Sequence, residues 1–418
     1  MNLFDEFQWR GMVYDATDGA AEMLAREKIT CYIGFDPTAS SLHVGSLLPI
    51  MALARLQRFG HSPIALVGGG TGMIGDPSGK SQERTLLSID DIDHNARGMK
   101  AQLERFLDFD APSNAARMMN NADWLRTIGM LEFLRDTGKY FTVNYLLAKE
   151  SVKRRIASED GISFTEFTYS LLQAHDYLHL HRHAGCTLQM GGSDQWGNIV
   201  AGCDLIRKVE GGKAKAHGLV LPLVTTSAGT KFGKTEAGTV WLDPARTSER
   251  DFYQFWLQTD DRDVIKYLKF FTWLDQSEIG AIETALQADP SARTAQRRLA
   301  DEVTRGVHGD QALARVQSDA ALRFGGAVTA DALRQVAPTA AIARATIVAG
   351  VSNSELVVLA GLAKSKSEAF RLIEQGGIAI NDVAVSDPRG VVTEAQALGD
   401  RFKVAKGRRS VAVVAITP

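Results

Sequence analysis

The sequence predicts an α/β protein in three parts: a domain on a parallel sheet, a domain of α-helices, and a small α+β domain. Three observations carry this. Between residues 29 and 67 a β-type run, a helical stretch and a second β-type run alternate, as in a parallel sheet with crossover helices. From about 246 to 320 the pattern is helical, rich in Ala, Arg, Gln and Asp, and lacks a glycine motif. From 351 the chain changes to one helical segment, a Gly376-Gly377 turn and short β-type runs. The expected divisions are 1–245, 246–325, a linker over 326–350, and 351–418.

In order, residues 1–28 carry apolar positions at helical spacing, and 29–35 form a β-type run closed by Asp36-Pro37-Thr38. Residues 46–59 read as a helix and 63–67 as a buried strand before Gly68-Gly69-Gly70. A helical region from about 82 to 182 follows, then a strand at 187–190.

The composition, 45% hydrophobic and 23% charged, is that of an ordinary globular protein, and 418 residues suffice for two or three domains. A net charge of −2 confines any nucleic-acid binding to local basic patches. Cys31, Cys186 and Cys203 show no metal-knuckle or paired spacing, and read as reduced thiols. No signal peptide or membrane-length apolar run is evident, so the cytoplasm is the expected location, with no membrane partner.

Gly70-Thr71-Gly72-Met73-Ile74-Gly75 fits the GxGxxG pattern of dinucleotide sites. That fingerprint needs a helix opening across the glycines, and Asp76-Pro77-Ser78-Gly79 breaks one. The glycines instead let the backbone pass close to a ligand or a strand. A different pair of motifs carries more. His43-Val44-Gly45-Ser46 runs into a helix start, where N–H groups favour an anion. Lys231-Phe232-Gly233-Lys234-Thr235 lies in a glycine-flanked loop suited to closing over phosphates. Taken singly, these are a satisfied histidine and a solvated basic loop. Between them Tyr169, Gln173 and Asp176 share one helix face, a poor core and a plausible wall for a small polar ligand. Gly191-Gly192-Ser193-Asp194-Gln195-Trp196-Gly197-Asn198 adds a polar turn after a strand.

The paired motifs resemble the HIGH and KMSKS signatures of class I aminoacyl-tRNA synthetases. Asp36-Pro37-Thr38, Gly75-Asp76-Pro77-Ser78-Gly79-Lys80, the Tyr169/Gln173/Asp176 stripe and the 191–198 turn are similar to bacterial-type tyrosyl-tRNA synthetases, over essentially the whole chain. The resemblance implies a Rossmann-like catalytic domain with a helical insertion, an α-helical anticodon-binding domain and an S4-like RNA-binding domain. It implies activation of L-tyrosine with ATP, carried with Mg2+, to tyrosyl-adenylate, then transfer to tRNA(Tyr) by a homodimer without protein-bound metal. Thr38, His43, Lys231, Lys234 and Thr235 would be catalytic. Tyr32 and Asp176 would bond the tyrosine hydroxyl, while Asp76, Tyr169 and Gln173 hold the amino group, with Gln195 close by. Asp36, His43, Gly45, Ser46, Gly192, Asp194 and Lys234 would bind ATP. Ser46 departs from the family, whose fourth HIGH position is usually histidine or asparagine.

For RNA, the segment from Leu362 to Asn381 resembles the S4 module. Lys364, Lys366 and Arg371 would form a basic face, joined by Lys403, Lys406, Arg408 and Arg409. Arg207-Lys208 and Lys153-Arg154-Arg155 are candidates for the acceptor end. His175, His179, His181 and His183 cluster without the order of a zinc site, and Trp124, Trp196 and Trp241 read as packing residues. The rivals are a synthetase-derived RNA-binding protein, against which the intact motifs argue, and a tryptophanyl enzyme, against which Tyr32 with Asp176 argues.

Overall fold

The computed structural model describes residues 1–418 apart from 77, 79–87, 159–160, 230–231, 236–237, 325–328, 335 and 408–409; at 234–235, 321–324 and 332 it describes the backbone alone. The chain divides into two compact units, Met1–Val307 and His308–Pro418.

The first unit is built on six strands, β1 (Asp15–Ala16), β2 (Thr30–Phe35), β3 (Ser62–Val67), β4 (Arg117–Asn120), β5 (Cys186–Gly192) and β6 (His217–Leu221). Their order is β1-β6-β5-β2-β3-β4, and all are parallel except β1, which runs antiparallel to β6. Strand β2 therefore has its sequence successor β3 on one side and the distant β5 on the other. The crevice above such a reversal, at the carboxyl ends of the strands, is where open α/β sheets bind ligands. The helix Leu47–Arg58 makes the crossover from β2 to β3 and is buried along nearly its whole length.

Two edge strands depart from the sequence reading. β1 falls in the segment read as helical and is only two residues long. β4 falls inside the expected helical region at 82–182; Arg117-Met118-Met119-Asn120 has no β-branched residue and is half-buried throughout, so neither propensity nor alternation marks it.

No division between compact units falls at 245/246. The helix Asp261–Phe271 ends against two buried arginines from the α/β part. Arg55 donates to the carbonyls of Phe270 (2.9 Å) and Thr272 (2.5 Å), and Arg10 to those of Lys269 and Leu274 (both 2.9 Å). Cations at a helix C-terminus meet its free carbonyls and its dipole. Burial and the neighbouring Arg10 depress the Arg55 pKa, and Arg10 is itself paired with Glu6 at 2.5 Å.

After the ribbon β7 (Lys234–Thr235) and β8 (Gly238–Thr239), the remaining strands belong to the second unit. They are β9 (Ala340–Ala343), β10 (Val351–Ser352), β11 (Ile378–Ile380), β12 (Val383–Ala384), β13 (Val391–Val392), β14 (Arg401–Lys406) and β15 (Ser410–Thr417). Five form a sheet of order β12-β11-β14-β15-β9, and β10 pairs with β13. Within the stretch expected as a linker, β9 runs parallel to β15 and Ile342 and Ile347 enter the core with Leu356, Phe402 and Val414.

Candidate active site

A pocket of about 180 Å³ opens above the ends of β2 and β5. Its lining brings together Tyr32, Asp36, Asp76, Tyr169, Gln173, Asp176, Gly192 and Gln195, eight of the residues singled out from sequence. Thr38, His43, Gly45, Ser46 and Asp194 do not line it.

Its floor is polar and buried. Asp176 is 2% exposed; one carboxylate oxygen accepts from Asn121 Nδ2 and the other from Trp124 Nε1, each at 2.8 Å. Burial raises its pKa to about 7 against those two donors, which favour the anion. Beside it Tyr32 is 1% exposed and its hydroxyl has no hydrogen-bond partner among the described residues. Burial, then the Asp176 charge, pushes that phenol's pKa well up, so it stays a neutral donor. A buried hydroxyl without a partner is costly unless a ligand completes it. At the rim, Gln195 donates to Asp76 at 2.7 Å, and Asp76 also accepts from the Ser78 backbone at 2.8 Å. Tyr169 and Thr71 both line the pocket, and the Thr71 hydroxyl accepts from Asn121 at 2.9 Å.

Thr71, Asn121 and Trp124, with Gln189, which lines the pocket and is 3% exposed, are parts of the site or its support that the sequence reading did not assign to it. Asn121 directly follows β4, and with that strand unseen nothing placed it at a carboxyl end of the sheet. Trp124 is a hydrogen-bond donor to the pocket carboxylate as well as a packing residue. The glycines before Asp76 work by close approach: a Cβ on Gly69 would come within 2.1 Å of Asn120 Oδ1. A 3-10 turn over Thr71–Met73 follows them.

The 36–46 loop is braced by the helix Ile89–Leu103. Asn95 donates to the Pro37 carbonyl and Gln102 accepts from Leu42 N, both at 2.8 Å; Gly98 lies so close that a Cβ would meet Ser40 O at 2.0 Å. His43 caps the turn Val44–Ser46 from an extended backbone. That turn leads directly into Leu47–Arg58, whose first turn receives no side-chain cap from Ser46.

The two motifs, far apart in sequence, are stitched together by backbone. Val44 N donates to Val240 O (3.0 Å), Leu242 N to Leu42 O (2.9 Å), and Val240 N to Gly233 O (3.1 Å). Gly233, at φ +81°, rests on Val44, where a Cβ would lie 2.6 Å from the valine Cγ2. Phe232 is buried among Phe255, Trp256, Tyr267 and Phe271. Lys231 and the side chains of Lys234 and Thr235 lie outside the described residues.

The histidines take separate partners: His175 bonds Thr137 and His181 the Cys186 carbonyl (both 2.9 Å), while His179 stacks on Trp124 at 4.2 Å and meets the His183 ring at 4.4 Å. Of the basic candidates, Arg207 reaches the Ala216 carbonyl and Lys208 that of Tyr140 (both 2.9 Å). Arg155 is buried in an ion pair with Glu166 at 2.7 Å and presents no charge to RNA. In the second unit Lys366 pairs with Glu355 at 2.6 Å, while Lys364 and Arg371 are exposed. Lys403 is 4% exposed and paired with Asp382, so it leaves the expected basic face; Arg408 and Arg409 lie outside the described residues.

Residues 24–325 match the family model of tRNA synthetases class I (W and Y), and the chain belongs to that family. Residues 335–414 match the tyrosine–tRNA ligase SYY-like C-terminal domain. The chain is 52% identical to a tyrosine–tRNA ligase of Roseiflexus castenholzii over 97% of both chains. It is 51% identical to one of Anaeromyxobacter dehalogenans over 99% of both. Among solved structures, a C-terminally truncated mitochondrial tyrosyl-tRNA synthetase of Aspergillus nidulans superposes with a TM-score of 0.70 at 32% identity, covering 77% of this chain and 94% of that one.

Proposed function

We propose that this chain is a tyrosine–tRNA ligase that uses ATP to make tyrosyl-adenylate and pyrophosphate, then esterifies the terminal adenosine of tRNA(Tyr). The observation that carries this is the floor of the pocket. An unpartnered, buried Tyr32 hydroxyl stands beside an Asp176 carboxylate held by Asn121 and Trp124. A phenol entering there accepts from Tyr32 and donates to Asp176, and phenylalanine would leave the buried Tyr32 hydroxyl unmet, the logic already known for tyrosyl enzymes.

Chemically, the tyrosine carboxylate is already a nucleophile. It attacks the α-phosphorus of MgATP and the bond to pyrophosphate breaks. A ribose hydroxyl of the tRNA then attacks the activated carbonyl carbon and AMP leaves. Neither step asks for a strong base, so positioning and charge stabilisation dominate. Asp76, Tyr169, Gln173 and Gln195 face the ammonium group. Asp36, Gly45, Ser46, Gly192 and Asp194 take the nucleotide, and Thr38, His43, Lys231, Lys234 and Thr235 take its phosphates. Helices after residue 245 read the anticodon, and Lys364, Lys366 and Arg371 bind RNA, with Arg207 and Lys208 nearer the acceptor end.

A homodimer in the cytoplasm fits this reading. Met130, Leu131, Val143 and Phe164 are 61–81% exposed, apolar side chains of the kind that partners cover. No helix among the described residues is long and apolar enough to cross a membrane. ATP–pyrophosphate exchange with tyrosine, tryptophan and phenylalanine tests the substrate. Exchange with tyrosine alone is expected; exchange with tryptophan, or none, overturns the reading.

A further inference from the structure

His43 is solvent-exposed, and an exposed imidazole ordinarily samples several rotamers. A group that must meet a phosphate in the transition state cannot do so, since productive geometry has to hold within about 0.5 Å. Two features restrict it. Gly45 lacks a side chain where a Cβ would come within 2.7 Å of the ring's Cε1 and 2.9 Å of Nδ1, so the imidazole lies against the backbone. The Trp241 indole stands edge-to-face to it, centroids 6.2 Å apart at 64°.

Trp241 is itself fixed. It forms an antiparallel bridge with His43, its backbone N–H donates to Thr247 Oγ1 at 2.9 Å, and the Arg246 guanidinium lies 3.9 Å from its ring centroid. The backbone of Trp241 is held by the bridge and the Thr247 hydroxyl and its ring by the Arg246 cation, in the segment whose Val240 also ties Gly233 to Val44. Cation–π and edge-to-face contacts are weak for folding but enough to favour one rotamer.

We propose that Trp241 is a positioning residue for adenylate formation, acting through the His43 imidazole, with Arg246 steadying the indole plane. This rests on the synthetase reading of the site. Packing alone would leave the same tryptophan equally important whether or not His43 is present. A role through His43 makes the two residues non-additive.

The test uses the full chain in tyrosine-dependent ATP–pyrophosphate exchange, with tyrosine binding measured separately by equilibrium dialysis. Trp241→Leu and Trp241→Phe are made in the wild-type and His43→Ala backgrounds. Trp241→Leu is expected to lower kcat at least about tenfold with KM for tyrosine unchanged. Trp241→Phe restores most of it, and Trp241→Leu adds no further loss once His43 is alanine. An equal loss in both backgrounds, or a loss confined to KM for ATP, overturns the proposal. No exchange by the wild type with tyrosine would instead defeat the synthetase reading, and no Trp241 variant can produce that result.

Discussion

The carboxylate of Asp176 accepts the indole N–H of Trp124 at 2.8 Å, joining two residues 52 positions apart at the base of the pocket. That bond, with the matching one from Asn121, opposes a desolvation strong enough to lift the carboxyl pKa to about 7. The site therefore holds its acceptor at the edge of neutrality.

The first prediction is a pH dependence of tyrosine affinity. A protonated Asp176 has given up acceptor capacity that the substrate phenol needs. Tyrosine Kd should rise as pH falls below about 7, by up to about tenfold per unit. The stability sign is opposite. Asp176 binds its proton more tightly folded than unfolded, so its contribution is full below pH 3.8 and is lost as pH rises toward about 7. Equilibrium dialysis from pH 5.5 to 8 reads the affinity; a flat wild-type profile sinks this account, and Asp176→Asn should be flat.

The second concerns the donor. Trp124→Phe keeps an aromatic ring beside His179 but removes a hydrogen bond to a buried carboxylate, a loss of about 1.5–3 kcal/mol. Tyrosine Kd should rise by about 10–100-fold, with the pH profile displaced upward, while ATP binding is spared. Calorimetric titration with each ligand separates these. An unchanged tyrosine Kd would remove Trp124 from the site.

What was legible beforehand divides along physical lines. The strands β2, β3 and β5 are apolar runs bounded by glycine or proline, and the polar stripe Tyr169, Gln173 and Asp176 stands out on its helix because burial should have made it apolar. The edge strand β4 carries no such signal, and its loss hid Asn121 and Trp124. Lys403 failed for another reason. It stands in β14 between the buried Phe402 and Val404 and is itself buried, paired with Asp382 across the sheet, which a run of basic residues in the sequence does not reveal. Long-range stitching of Leu42–Val44 to 240–242 has no local signature at all.

The third prediction uses that stitching. Gly233 has φ +81° and sits against Val44, so Gly233→Ala meets both backbone strain and a contact of 2.6 Å. Relief requires the 231–235 motif to move away from the His43 motif. The rate of adenylate formation should fall by about 10–100-fold with tyrosine Kd unchanged. Lys234→Ala should show the same split. Rapid-quench measurement of adenylate formation beside tyrosine binding checks both, and parallel losses in rate and binding would contradict them.

The last prediction concerns the two compact units. Cutting at 350/351 would leave β9 without β15, its parallel partner, and strip Ile342 and Ile347 of their core. A cut following Val307 respects the observed division and retains the whole pocket, the His43 and Lys234 motifs, and the Arg55 anchorage of the helix Asp261–Phe271. The 1–307 fragment should catalyse tyrosine-dependent pyrophosphate exchange close to the full-length rate. It should lose tRNA charging, because exposed Lys364 and Arg371 and the rest of the second unit are gone. Charging by the full chain should also fall more steeply with added salt than exchange does, since the salt dependence grows with the number of phosphates contacted and a tRNA backbone presents more than one ATP. Exchange and charging assays on both proteins, at two salt concentrations, test this. Charging by the fragment at the full-length rate would show that the second unit does not hold the tRNA.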